Sequence, residues 1–449
     1  MNIVFITPEC YPYTSASNLG DFVFSLARGI EQAGNNVKIL LPRYGSIDPQ
    51  HTLIERLPNE FKIQKNLNAL IYKGILKESL VSTFLIDNQN FFSNSKEVYL
   101  GHEKDFDRFD FFCNAAISLI NDLSFSTDIV HLFSPYSSFC VDYFDLYEEC
   151  FEDTKIIFNV FNSSGISNEF LLKTKRMIDK ANVICMFSEK CLTNENLVDK
   201  NIQKMLLNKK DKVFSIFPGL DDKEYDPETD SLLKHNFSKN YFSIGKKKSK
   251  EELIQLCNFE SEENIPIFSY IGSLNRNDCI MSLLSSLPYL LSNKINFILC
   301  GKGDHEIEIE FKKLGVKNKN FQFLNSFDNE TLKAVYAGSD FMLCQNSCKG
   351  NELAILLAMR YGCIPIVSSE SIFIDKLVDI SQDDGFIILI KELGKDEFYK
   401  SFDKALSIFK NKQALPKIIK NAMHFNSRMD NCTEQYIELY NKVLNSVLL

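Results

Sequence analysis

The sequence predicts an α/β protein with two doubly wound parallel-sheet domains that face a central cleft. Short apolar runs alternate with segments of helical periodicity through almost all of the 449 residues. The apolar runs are continuous, which is typical of parallel strands covered by helices on both faces. After a polar stretch the alternation restarts, which indicates a second domain. Two such domains in tandem would place a ligand cleft at the carboxyl ends of their strands.

The first domain is expected over residues 1–220. Apolar residues at helical spacing from Leu19 to Ile30 predict its first helix, and Gly34 is expected to end that helix. The predicted strands of this domain are residues 2–7, 37–42, 81–86, 128–133, 155–161, 183–187 and 213–217.

Residues 221–261 are polar and are expected to form a linker region. Their basic run of Lys246, Lys247, Lys248 and Lys250 is followed by glutamates, so we interpret it as a solvated loop and helix start. The second domain is expected over residues 262–425. Its predicted strands are residues 267–271, 296–300, 321–324, 341–344, 364–367 and 386–389. Residues 426–449 are predicted to form a packed terminal helix.

The composition excludes several classes of protein. Hydrophobic residues at 45% with 24% charged residues exclude a disordered or collagen-like chain, and the net charge of −9 disfavours nucleic acid as a partner. No segment approaches the ~18 apolar residues of a membrane span. The 13 cysteines form no CxxC pair or Cys/His cluster, so we expect reduced thiols, no metal, no cofactor and a cytoplasmic location. Glycine supplies 18 residues, a low count that argues against several glycine-rich phosphate loops.

Ten short motifs resemble the bacterial glycogen/starch synthases of glycosyltransferase family 5, the ADP-glucose type. They occur in family order at residues 3–9, 19–21, 41–48, 84–88, 128–131, 219–221, 225–230, 301–304, 336–340 and 360–362, and the most specific are LPRYGSID at 41–48 and RYG at 360–362. The resemblance implies the two-domain glycosyltransferase B fold, with the first domain on the acceptor side, the second on the nucleotide-sugar side and the last helix packing back on the first domain. The implied activity is metal-free transfer of glucose from ADP-glucose to the 4-hydroxyl end of an α-1,4-glucan, with retention.

The positions that carry this chemistry in the family are largely changed. Glucosyl transfer places negative charge on the departing diphosphate, and fixed cations and amides stabilise that charge. The family's Lys-Thr-Gly-Gly loop corresponds to residues 15–18, so its lysine is replaced by Ser15 and its glycines by Ser17 and Asn18. The catalytic-site aspartate of the family corresponds to Ser134, and the histidine of its His-Asn pair corresponds to Phe161.

The positions in the second domain that bind the donor in the family are also replaced. The family's phosphate-binding arginine corresponds to Ser273 and its phosphate-binding lysine to Asp278, while the glutamate beside the donor sugar corresponds to Lys349. The candidate ligand-binding remnants are Gly20, Asp21, Asn162, Gly301, Gly303, Asp304, Tyr336 and Glu352.

Several of these residues also have a structural interpretation. Asp21 suits the positive end of the first helix, and a tight turn alone explains the glycines at 301 and 303. For Tyr336, packing in the protein core is as good an interpretation as a position near the nucleotide pocket. His131 ends an apolar strand and is interpreted as a core histidine.

Two functions follow from the resemblance. The favoured one is a catalytically impaired pseudoenzyme with a glucan-binding, regulatory or partner-binding role, with an α-glucan, a nucleotide sugar, an intact synthase or another glycogen enzyme as partner. The alternative is an active retaining α-1,4-glucosyltransferase that uses ADP-glucose or another nucleotide sugar with a relocated cation set of Arg276, Lys349 and Arg28. Neither function involves nucleic acid or a membrane.

Overall fold

The structure, a computed structural model, divides the chain into two compact units. It describes residues 1–449 except 15, 59, 64–66, 124, 161–165, 194–197, 261–263, 277, 326–327, 345–352, 393 and 446–449, and except the side chains of residues 51, 102, 278 and 279. One unit comprises Met1–Gly219 with Arg428–Leu449, and the other comprises Leu220–Ser427.

The first unit is a sheet with helices on both faces. Its strands are β1 (Asn2–Ile6), β2 (Asn36–Pro42), β3 (Glu55–Arg56), β4 (Phe61–Ile63), β5 (Leu67–Ile75), β6 (Ser82–Asp87), β7 (Ile129–Phe133), β8 (Lys155–Asn159), β9 (Val183–Met186) and β10 (Val213–Ser215). Its helices are α1 (Asn18–Gln32), α2 (Pro49–Thr52), α3 (His102–Asp122), α4 (Cys140–Leu146), α5 (Glu148–Phe151), α6 (Asn168–Lys180), α7 (Lys200–Asn208) and the terminal α15 (Met429–Leu444).

Strand β1 lies at the topological switch point of this sheet. The strand order is β10-β9-β8-β7-β1-β2-β6-β5-β3, and β4 pairs with β5. The pairs from β10 to β6 are parallel, whereas β5 is antiparallel to its three partners. The loops after β1 and β7 therefore leave the sheet side by side, where open α/β sheets bind ligands.

A buried hydrogen-bond network joins α15 to the first sheet. His131 Nδ1 lies 2.7 Å from the Tyr440 hydroxyl, and Nε2 lies 3.0 Å from Asn159 Oδ1, while Asn159 Nδ2 donates to the Tyr436 hydroxyl at 2.8 Å. Because an amide oxygen only accepts, Nε2 carries the imidazole proton and Nδ1 accepts from Tyr440. Burial lowers the pKa of His131 to about 3, so the ring is neutral. His131 is thus the core histidine that the sequence predicts.

The second unit is a parallel sheet with the strand order β13-β12-β11-β14-β15-β16. Its strands are β11 (Ile267–Ile271), β12 (Asn296–Cys300), β13 (Phe321–Leu324), β14 (Phe341–Cys344), β15 (Ile364–Ser368) and β16 (Ile388–Ile390). Its helices are α8 (Ser243–Leu256), α9 (Asp278–Leu291), α10 (His305–Lys317), α11 (Asn329–Gly338), α12 (Leu353–Arg360), α13 (Lys395–Lys410) and α14 (Ala414–His424). The order reverses between β11 and β14, so the switch point lies at the loops after these two strands.

Residues 221–261, expected as a linker region, lie within this second unit. The carboxylate of Asp230 is buried, lies 3.1 Å from Lys333 Nζ and accepts from the Tyr361 hydroxyl at 2.5 Å. Lys333 also donates to the Glu224 carbonyl at 2.8 Å, and α8 packs on α11. The polar composition of this stretch therefore reflects side chains that pair with the second unit.

The interpretation of the basic run as a solvated loop and helix start is correct for the helix, because all four lysines lie in α8, but the solvated environment is wrong for Lys246. This residue lies inside α8, and its ammonium donates to the carbonyls of Ala337, Ser339 and Tyr361 at 2.9 to 3.1 Å. Its side chain is buried because three backbone carbonyls converge on it, a feature that no local charge pattern reveals.

Protonation of His131 is expected to destabilise the first unit. The pKa of this group falls from 6.5 to about 3 on folding, so the free energy of unfolding should decrease as the pH falls from 6.5 towards 3. The slope that this one proton contributes is at most about 1.4 kcal/mol per pH unit. Urea unfolding followed between pH 4 and 7 should show a shallower pH dependence for His131→Gln than for the parent chain. The exposed His305→Gln is the matched control, and equal slopes for His131→Gln and the parent would contradict the neutral-histidine network.

Candidate functional site

Glu9 lies at the switch point of the first sheet and holds the following loop by its carboxylate. Its side chain is fully buried just beyond β1. One carboxylate oxygen accepts from the amides of Ala16 and Ser17 at 2.6 and 2.8 Å, and the other accepts from the Ser17 and Tyr99 hydroxyls at 2.8 and 2.5 Å. Burial raises the pKa of Glu9, and hydrogen bonds from Tyr99, Ser17 and Ala16 oppose that rise.

The same loop begins helix α1. Ser17 is the N-cap, and its hydroxyl accepts from the Leu19 amide at 3.2 Å. Asp21 lies in the first turn of α1, where the helix dipole favours a negative charge. Gly20 is buried, and its carbonyl accepts from the Tyr11 amide at 3.2 Å. Ser15 lies outside the described residues.

Ser134 follows β7 beside this loop and has an unusual backbone conformation. Its φ of 73° lies in the left-handed region that non-glycine residues rarely adopt. Its hydroxyl accepts from the Tyr136 amide at 3.4 Å, and the Tyr136 ring packs 4.7 Å from that of Tyr99. Backbone strain of this kind is common at functional sites, but a hydroxyl supplies no negative charge. Phe161 and Asn162, in the loop after β8, lie outside the described residues.

In the second unit, Ser273 opens the loop after β11. Its hydroxyl accepts from the Asn275 amide at 3.3 Å, so it stabilises its own turn. The nearby Arg276 is exposed, and its guanidinium lies 3.4 Å from the Glu306 carboxylate. The Arg276 amide donates to Asp304 at 2.6 Å. The Arg276 side chain is thus paired with one exposed carboxylate of α10, and its backbone amide is bound by Asp304.

Gly301 and Gly303 allow the loop after β12 to contact the loop after β11. A Cβ at Gly301 would overlap the carbonyl oxygen of Gly272, and a Cβ at Gly303 would overlap the backbone of Leu274. Leu274 and Gly303 form a parallel bridge. The Gly303 amide is also occupied, because it donates to the Glu308 carboxylate at 3.1 Å. This loop–loop contact accounts for both glycines without a ligand.

Tyr336 lies in the core of the second unit. Its ring is buried and packs parallel to the ring of Tyr361 at 6.2 Å, next to the Asp230 and Lys333 pair. The remaining predicted positions, Lys349 and Glu352, lie outside the described residues, as does the side chain of Asp278 at the start of α9. The switch-point loop after β14 falls in the same undescribed range, 345–352.

Glu9 is the residue at this site that the sequence did not single out. Its signals in the sequence are its place at the end of the motif at residues 3–9 and its position shortly after an apolar strand at the first switch point. Within the described part of the chain, no group of three or more His, Cys, Asp or Glu residues is arranged to hold a metal. None of the described helices is long and apolar enough to cross a membrane.

Comparison with known proteins finds matches for both units. Residues 2–183 match the family described as starch synthase catalytic domain, and residues 265–407 match the family described as glycosyl transferases group 1. The chain is 25% identical, over 485 aligned positions covering 98% of each chain, to a glycogen synthase of Hydrogenobaculum sp. strain Y04AAS1. It is 26% identical, over 478 positions covering 99% of each chain, to a glycogen synthase of Flavobacterium johnsoniae.

Solved structures share the fold at lower identity. The catalytic domain of starch synthase IV from Arabidopsis thaliana, bound to ADP and acarbose, matches with a TM-score of 0.88 and 22% identity over 99% of each chain. Sucrose-phosphate synthase from Thermosynechococcus elongatus matches with a TM-score of 0.68 and 14% identity over 99% of this chain and 100% of the other.

Removing the charge of Glu9 is expected to destabilise the first unit. In Glu9→Gln, the side-chain amide would direct N–H groups at donors that now meet a carboxylate. The expected loss in the free energy of unfolding is about 2–4 kcal/mol. Urea unfolding at pH 7 measures it, with the partly exposed Glu31→Gln of α1 as a control that should change stability by less than about 0.5 kcal/mol. A value for Glu9→Gln within the control's range would show that the loop does not depend on this carboxylate.

Proposed function

Because the chain is a homologue of the glycogen and starch synthases with the GT-B-like fold of those glycosyltransferases, we propose that it is a catalytically impaired form with a glucan-binding and regulatory role. The observation that carries the proposal is the loop closed on Glu9. The resemblance implies that amides of this loop approach the nucleotide sugar. In this chain the amides of Ala16 and Ser17 donate to Glu9 instead.

The neutral side chain at Ser134 supports the same proposal. The resemblance implies a carboxylate there, beside the carbon at which positive charge develops during transfer. A hydroxyl bound to the Tyr136 amide offers no such charge. Ser273 likewise presents a hydroxyl, engaged in its own turn, where the resemblance implies an arginine for the diphosphate. The loss of one well-placed donor typically lowers the rate ~100- to 1,000-fold, although such losses are not additive.

The contacts of two relocated cations argue against an active transferase. Arg276 is paired with Glu306. Arg28 is 2% exposed, with its guanidinium 3.2 Å from Glu78 and 4.8 Å from the centre of the Phe24 ring. Lys349, the third member of that set, lies outside the described residues. The two arginines described are thus held by this chain's own side chains.

The proposed partner is an α-glucan, because homology to glycogen synthases implies a glucan-binding surface. Such a surface can be retained even when the site for the sugar donor is lost. An intact synthase or another glycogen enzyme is the proposed protein partner, to which an impaired homologue would bring the bound glucan. The cytoplasm remains the predicted location.

The first test is glucosyl transfer. With ADP-glucose and glycogen, the purified chain is expected to incorporate glucose at least ~10⁴-fold more slowly than the Flavobacterium johnsoniae glycogen synthase assayed in parallel. In a background with Ser15→Lys and Ser273→Arg, Ser134→Asp should raise incorporation above Ser134→Asn, which matches it in shape but lacks the charge. Turnover by the unmodified chain at ~1 s⁻¹ or faster, an ordinary enzymatic rate, would contradict the proposal.

The second test is ligand-induced stabilisation. Maltoheptaose at about ten times its Kd should raise the Tm by roughly 2–4 °C by mass action, whereas ADP-glucose at the same concentration should leave it unchanged. Scanning fluorimetry measures both shifts, and cellobiose serves as the β-linked control. A shift with ADP-glucose and none with maltoheptaose would reverse the assignment and favour a surviving donor site.

A further inference from the structure

A cavity of about 460 Å³ lies in the second unit between α8 and α14. The end of α13 also contributes to its wall through Phe409, and Asp340 contributes from the residue directly before β14. Asp340 marks the amino edge of the second sheet, whereas Ser273 and Gly301 lie just beyond the carboxyl ends of β11 and β12. The α8–α14 cavity is therefore at the edge opposite the donor-site positions, and nothing in the proposed function uses it.

The lining of the cavity combines apolar side chains with lysines. The apolar residues are Phe242, Ile254, Phe409, Leu415, Pro416 and Ile419. Three lysines, at 246, 247 and 250, face two carboxylates, Glu251 and Asp340. The lining is thus net positive in a chain of net charge −9. The polar residues Ser243, Gln255 and Asn264 complete the lining. A volume of this size, with both apolar walls and polar groups, is within the range of small-molecule sites.

Two of the lysines are held in place by the fold. Lys250 Nζ lies 2.7 Å from Asp340 Oδ2 and 4.5 Å from the centre of the Phe409 ring. The same Asp340 oxygen accepts from the Ile267 amide at 2.8 Å, which joins this ion pair to the start of β11. An ammonium has three N–H donors, and among the described residues Lys250 uses one of them on Asp340.

Lys246 brings a second, deeper positive charge. Its ammonium is buried, and the described residues that accept its hydrogen bonds are the backbone carbonyls of Ala337, Ser339 and Tyr361. Carbonyl dipoles balance a buried cation only in part, and burial lowers the pKa of Lys246 to about 8. The nearby Asp340 carboxylate opposes that fall in pKa. The three carbonyls can accept all three N–H groups, so Lys246 adds positive potential to the cavity wall while its own donors stay occupied.

We propose that the α8–α14 cavity binds a small organic anion: a carboxylate, sulfonate or phosphate ester group carried on a flat apolar body. The anionic group would lie beside Lys247 and Lys250, and the body would pack between Phe409 and the apolar side chains of α8 and α14. The lysines would bind the negatively charged group of the ligand, and the aromatic and aliphatic walls would pack against its apolar body.

The absence of tryptophan from the chain allows a site-specific probe. Phe409→Trp, made with 5-fluorotryptophan, would place one ¹⁹F signal in the cavity wall, and Leu415→Trp on α14 is a second reporter should the first not fold. Tyr289→Trp, on α9 of the same unit and outside the cavity, is the matched reporter control. The test ligand is 1-naphthalenesulfonate, its neutral analogue is 1-naphthalenemethanol, and inorganic phosphate represents the charge alone.

Titration with 1-naphthalenesulfonate should shift the signals of Trp reporters at 409 and 415 in a saturable manner and leave the signal of the reporter at 289 unchanged. The neutral analogue and inorganic phosphate should each bind at least about 5-fold more weakly. Lys247→Glu should raise the Kd about 5-fold, whereas Lys248→Glu, an exposed neighbour outside the cavity, should change it less than about 2-fold.

Three results would overturn the proposal. The first is no saturable shift of either cavity reporter up to about 10 mM sulfonate. The second is equal affinity for the neutral analogue, which would leave an apolar cavity without charge selection. The third is an equal effect of Lys247→Glu and Lys248→Glu on the Kd. That result would show that the lysines attract the anion only through the overall charge of α8 and do not contact it in the cavity. None of these results depends on glucosyl transfer or glucan binding.

Discussion

A carboxylate without accessible surface must receive hydrogen bonds from the protein, and this requirement organises the switch point of the first unit. Glu9 lies three residues beyond the end of β1, in a loop at the switch point of the sheet, yet its side chain is fully buried. Two amides and two hydroxyls meet its oxygens. Leaving such a group unpaired costs several kcal/mol. The conformation of residues 16–18, and with it the start of α1, therefore follows from Glu9 and its partners.

The same principle operates at the carboxyl edge of the second sheet. The Arg276 and Gly303 amides donate to Asp304 and Glu308, so two donors at this edge already have carboxylate acceptors. A site for a departing diphosphate needs the opposite arrangement, with amides and cations aimed at empty space. The two units thus retain the scaffold of a glycosyltransferase, while the donors described at its switch points serve the protein itself. Fold and site are separable in this way because sheet and helix packing do not depend on which groups the loops expose.

The sequence predicted the parts of the fold that local pattern determines. Strands such as β7 and β11 are buried on both faces, so each appears as a continuous apolar run. Strand β5 was not predicted, because it is antiparallel and its buried residues, such as Ala69 and Ile71, alternate with more exposed ones. Glu9 is held by Ala16 and Ser17 of its own loop and by the distant Tyr99. The carbonyls that bind Lys246 lie more than 90 residues away from it, at Ala337 among others. Such contacts leave no trace in local charge or periodicity, which is why both residues needed the structure.

The low glycine count acquires a physical meaning from these contacts. A glycine loop binds phosphate because its amides are accessible and no Cβ stands in front of them. Ser17 occupies a position where the resemblance implies glycine, and its hydroxyl both caps α1 and donates to Glu9. Restoring a glycine there would remove two hydrogen bonds that now close the loop. Gly301 and Gly303, by contrast, are needed for backbone contact between neighbouring loops. Glycine therefore remains where packing requires it, and side chains have taken its place in the loop where the resemblance implies a nucleotide sugar.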